Sequence, residues 1–136
     1  MRKITYLTFL IIITLNSCVE KGEFVSFELL NQSSNQISII EHSIYNSKID
    51  TSILQKNEKL INSISESSGD VGHVPFHQVD TLTIIIGEKI ITYTHDFSGK
   101  NPLKLEYYTL IETSSDKWGV QSKYEYDVLD QDFKIK

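Results

Sequence analysis

Alternation of apolar and polar positions with period two runs through most of the chain, the pattern of half-buried strands. In "EFVSFELLN" (23–31), Val25, Phe27 and Leu29 share one face, while Ser26 and Glu28 share the other. A polar cluster, "NQSSN" (31–35), marks a turn. "QISIIEHSIY" then places Ile37 and Ile39 on one side and Ile40 and Ile44 on the other. The two strands and the short turn predict an antiparallel hairpin. Ile49, Ile53 and Leu54 mark a short edge strand, and Leu60, Ile61 and Ile64 mark another. "SESSGDVG" is expected to be an exposed loop, with Gly69 and Gly72 as breakers.

The strongest local signal is "DTLTIIIGEKIITYTHDF". Leu82, Ile84 and Ile86 alternate with Thr81, Thr83 and Ile85. Gly87-Glu88 is a two-residue connection with glycine first, which suits a type II′ turn. The return strand sets Ile91, Tyr93 and His95 against Ile90, Thr92 and Thr94. "SGKNP" is a loop. "LKLEYYTLIETSSDKWGV" has no clear period and predicts an irregular segment with a short strand. "SKYEYDVL" points Tyr124, Tyr126 and Val128 inward and Glu125 and Asp127 outward, and "DQDFKIK" is a closing turn or one helical turn. Six to eight short strands and no long helical period predict an all-β domain, an antiparallel β-sandwich or an open barrel.

The opening "MRKITYLTFLIIITLNSC" departs from this pattern. Arg2 and Lys3 precede an apolar stretch from Ile4 to Leu15. Its length suits a signal peptide and falls short of the roughly 20 residues that span a bilayer. Cys18 is the single cysteine of the chain, so no intrachain disulfide is possible. "LNSC" resembles the bacterial lipobox, with leucine three residues before the cysteine and a small residue directly before it. That resemblance implies removal of residues 1–17, diacylglyceryl transfer to the Cys18 sulfur, a short tether over 18–23, and one sandwich domain over 24–136. Val19 after the cysteine leans towards the outer membrane, since aspartate is the retention residue of the inner membrane in enteric bacteria. Glu20 and Glu23 faintly resemble acidic surface-export signals.

Residues 18–136 number 119, one domain by size. They carry 11 basic and 18 acidic side chains. That balance lacks the electrostatic footprint of a nucleic-acid binder and offers no polybasic patch to an anionic membrane. The expected partners are therefore the membrane, through the lipid, and another envelope protein.

The order of motifs also resembles small Bacteroidetes lipoproteins of the flavobacterial type. The segments that carry the likeness are "NQSSNQI", "DTLTIII", "EKIITYTH", "NPLKLEYY" and "YEYDVLDQDF". The resemblance implies an envelope location and a β fold, and supplies no catalytic residues.

Candidate chemistry is sparse. "HVPFH" sets His73 and His77 four apart, and the pair could share zinc or copper with His95 or Asp70. Pro75 opposes a helix, and an extended chain holds the rings roughly 13 Å apart. The alternative is a loop whose Phe76 plugs the core while the histidines meet solvent. Thr81 in "DTL" resembles the short Bacteroidetes O-glycosylation acceptor; otherwise it is a solvent-facing strand residue. "DQD" (130–132) with Asp127 could hold calcium, but lacks the glycine and spaced oxygens of a calcium loop. Trp118 and the pairs Tyr107-Tyr108 and Tyr124-Tyr126 could stack on a ligand or fill the core. No nucleophile elbow, phosphate loop or HExxH motif is present. A non-enzymatic protein without a cofactor is expected.

Overall fold

The computed structural model describes residues 22–43, 45, 47–66, 74–117 and 119–134. The strands are β1 (Gly22–Asn31), β2 (Ile37–His42), β3 (Ile49–Leu54), β4 (Lys59–Glu66), β5 (Thr81–Ile86), β6 (Lys89–Thr94), β7 (Thr109–Ser115) and β8 (Gly119–Val128). They form two four-stranded sheets, β4-β1-β8-β7 (the first) and β3-β2-β5-β6 (the second), packed as a β-sandwich. All pairings are antiparallel except β1 with β8, which run parallel. A 3-10 turn at Leu105–Tyr107 precedes β7, and a second at Asp130–Phe133 follows β8.

Alternation places the core. Val25, Phe27 and Leu29 of β1 with Tyr126 and Val128 of β8 face Ile37, Ile39, Leu82 and Ile84 of the second sheet, and all are buried. Phe27 stacks on Tyr124 at 5.6 Å between ring centroids and meets Tyr108 edge-on at 5.5 Å. Phe76, Leu103 and Phe133 fill the core from outside the strands. Phe76 is 1% exposed yet holds φ at +54°. Such a conformation costs a bulky residue about 1–3 kcal/mol, and complete burial of the ring offsets it by a similar amount.

The hairpin expected between β1 and β2 does not form. The two strands belong to opposite sheets, and residues 32–36 arch between them. The buried side chain of Asn31 provides the reason. Its Nδ2 donates to the carbonyls of Asn35 (2.8 Å) and Leu54 (3.0 Å), and its Oδ1 accepts from the N–H and the hydroxyl of Ser33. These bonds satisfy the corner backbone without a hairpin ladder. The β5–β6 hairpin forms as expected, with positive φ at Gly87 alone in its two-residue turn. The ambiguous stretch before β8 contains β7, exposed along its whole length.

The outward faces of the two sheets differ in chemistry. On the first, Glu28 of β1 is only 5% exposed. Lys59 Nζ reaches both Glu28 and Glu125 at 2.6 Å, and Lys123 Nζ lies 3.8 Å from Glu28 and 3.2 Å from Glu112. On the second, register aligns three rows across β3, β2, β5 and β6. One row reads Ile53, Ser38, Ile85, Ile90. The next reads Thr51, Ile40, Thr83, Thr92, and the last Ile49, His42, Thr81, Thr94. None of these twelve positions is buried, and none is Asp, Glu, Lys or Arg.

Candidate functional site

The sequence-derived candidates separate in space. Cys18, the leader, His73, Asp70 and Trp118 lie outside the described residues. His77 is exposed in the turn that buries Phe76, and His95 is exposed just beyond β6. Among the described residues, no three His, Cys, Asp or Glu side chains converge as a metal site. Thr81 points outward from β5, half-buried beside His42 and Thr94. The acidic residues near the end of the chain act as acceptors within the fold. Asp130 accepts from the Ser34 N–H (3.2 Å), Asp127 from Gln32 Nε2 (2.9 Å), and Asp132 from Lys100 Nζ (2.8 Å) and the Leu129 N–H (3.0 Å). They hold the Asn31 corner and the final 3-10 turn in place.

The pairs Tyr107-Tyr108 and Tyr124-Tyr126 pack in or against the core rather than forming a stacking platform, while Tyr45 is exposed. Tyr108 donates to the Pro102 carbonyl at 2.8 Å, and burial pushes its phenol upward in pKa. Burial raises Tyr126 likewise, with Lys100 Nζ 4.8 Å from its ring centroid. Tyr93 is pushed up to about 12, mainly by burial and then by the Asp132 charge.

What the structure assembles is a polar cleft of about 430 Å³ between one end of the second sheet and β4. Glu41 of β2 stands directly across from Asp50 of β3. Lys48 bridges to Asp50 at 2.7 Å, and His77 and Gln78 close the cleft from the loop. The Asp80 N–H donates to the His42 carbonyl (2.9 Å), and the Val79 N–H to the Phe76 carbonyl (2.8 Å), so the loop is tied to the end of β2. Burial raises the Glu41 carboxyl above its ordinary range; the Asp50 charge adds to the rise and Lys48 opposes it. Like charges directly opposite on a ladder repel, so the cleft favours a cation or a hydroxyl-rich molecule over an anion.

Of these residues, sequence reasoning singled out His77 alone. The signal it missed is parity. Glu41 shares the phase of Ile37 and Ile39, and so is an acid on the inward face of its strand. Its pairing with Asp50 depends on register between strands, which one strand's pattern does not contain.

No helix among the described residues is long and apolar enough to cross a membrane. Comparison with family models, curated proteins and solved structures gives no match.

Proposed function

We propose that this protein is a lipid-anchored accessory of a bacterial cell envelope, acting by protein contact rather than by catalysis, with Cys18 as the acylated residue. The observation that carries the reading is the placement of "LNSC" after a charged start and an apolar stretch of signal-peptide length. β1 begins at Gly22, so three residues, four Cα–Cα steps of at most roughly 14 Å, separate Cys18 from the first strand. A sandwich held that close to a bilayer offers its faces and edges to neighbours in the same membrane. The resemblance to small Bacteroidetes lipoproteins supports the same location, and Val19 supports the outer membrane over the inner.

The test is fractionation of cells expressing the full chain, fed an alkyne analogue of palmitate. The wild type is expected in the membrane fraction carrying the label, and Cys18→Ser is expected to lose it. Unlabelled wild-type chain in the cytosol would overturn the reading.

A second reading is capture of a small cationic or polyhydroxyl ligand, favoured by the facing Glu41 and Asp50 carboxyls in the polar cleft. Titration with a small organic amine should then shift the NMR signals of Glu41, Lys48 and His77. Unmoved signals at millimolar amine would remove this reading.

A further inference from the structure

We infer that the outward face of the second sheet is a self-association surface that seats the same face of another copy of this chain. The inference deepens the contact role proposed above by naming the surface and its occupant.

Composition singles out this face. A solvent-facing antiparallel sheet ordinarily alternates apolar with polar residues and keeps charges on its wet side. The first sheet does so, with Glu28, Lys59, Lys123, Glu112 and Glu125 on its outer side. The second presents five isoleucines, five threonines, Ser38 and His42 in a three-by-four grid, in a chain of 13 basic and 18 acidic residues. Ile49, Ile53 and Ile90 are 60%, 57% and 64% exposed. At the centre, the Thr83 and Thr92 hydroxyls lie 3.1 Å apart and bond each other. That bond gives each hydroxyl one partner and leaves only one O–H to be satisfied when the pair is covered, which lowers the cost of burying two polar groups.

Charge selects the occupant. The chain is net negative, so two copies repel wherever their acidic surfaces meet, and this face lets them meet without opposed charges. A basic or acidic partner gains no complementarity from it. A bilayer surface is disfavoured as well, since the grid lacks the lysines, arginines and interfacial aromatics that hold a body at the headgroups. A second copy brings an identical neutral sheet, and the contact is then isologous. Two such sheets stack about 10 Å apart with isoleucine and threonine methyls interleaved.

Size fixes the strength. Four strands at about 4.8 Å and six residues at about 3.3 Å outline a footprint of roughly 400 Å². A standard interface takes about 800 Å² from each partner. Association is therefore weak in bulk solution, and confinement of anchored chains to one plane strengthens it by raising their effective concentration. A glycan on Thr81 would block it.

The experiment uses the full chain in isolated membranes with a short bis-maleimide. Thr83→Cys places a thiol at the centre of the grid, and Ser114→Cys places one on the outer side of β7 as a control. T83C is expected to yield a species of twice the chain mass, and S114C and wild type to yield none. Adding Ile85→Asp to T83C should cut that product at least tenfold, with the circular dichroism of the chain unchanged. Absence of the T83C dimer, an equal S114C dimer, or cross-linking of T83C to a different polypeptide would each overturn the inference. Membrane-bound chain without a T83C dimer sinks the self-association alone. A Cys18→Ser/Thr83→Cys chain that stays in the membrane fraction and still yields the dimer sinks the anchor alone.

Discussion

At the scale of single residues, two side chains carry more of the structure than their types suggest. Asn31, itself fully buried, makes four side-chain hydrogen bonds at the corner. Asn31→Ala should lower stability by about 2–4 kcal/mol, because the buried Ser33 N–H and Leu54 carbonyl lose their side-chain partner. A shift in the urea midpoint with unchanged slope would report it. Glu41 is the second. Its folded pKa lies above the unfolded value of 4.5, so the folded state holds the proton more tightly. The linked stability is full below pH 4.5 and is lost as pH rises through the folded pKa. Glu41→Gln should flatten that decline and, at neutral pH, gain about a few tenths of a kcal/mol, since solvent screens a half-exposed carboxyl. Stability curves of the two proteins from pH 4 to 7 that run parallel would contradict this. Parity in the sequence places Glu41 on the inward face of its strand, but its pairing with Asp50 and the role of Asn31 depend on the sheet arrangement. Asparagine in "NQSSN" signals a turn of some kind, and only the sheet arrangement decides whether the chain turns back or arches over.

Strands were the most legible level, because a half-buried ladder writes its own alternation. The inward sets of β1, β2, β5 and β8 are the ones that parity assigns, and the β5–β6 turn follows from Gly87 and its two-residue length. What failed was partnership. β1 pairs with β8, about a hundred residues away, rather than with β2; parity says which face a residue takes and nothing about which strand lies beside it. β7 is the short strand expected in the ambiguous stretch, and its bounds stayed open because an edge strand exposed throughout has no buried face to reveal its period.

Two predictions belong to the ladder of β1. At Gly119, a β-carbon would collide with the Gly22 carbonyl. Gly119→Ala should therefore open the start of the parallel β1–β8 pairing, seen as faster hydrogen exchange at Glu23 and Val120 with the Ile39–Ile84 core still protected. Over the outer face, Lys59→Met should cost about 1–3 kcal/mol by leaving Glu28 with only the more distant Lys123. Adding Glu28→Gln should recover most of the loss. Equal losses in the single and double variants would show that the Lys59–Glu28 pair is energetically idle.

For the whole molecule, the two sheets divide the surface between them. One wears a mesh of ion pairs and the other a neutral grid of isoleucine and threonine, while a carboxyl-lined cleft opens where β4 passes the end of β2 and β3. The fold class was legible because many short alternating segments with turn signals admit few architectures. The neutral face was written in "DTLTIII" and "KIITYT" but appears only when four strands are laid side by side. The central claim remains the anchor, since it determines which partners these surfaces can meet. Intact-mass analysis of the chain extracted from bacterial membranes tests it most directly. The account predicts a species that has lost residues 1–17 and gained a diacylglyceryl group, with or without a further acyl chain, on Cys18; a mass corresponding to an unmodified Cys18 would contradict it.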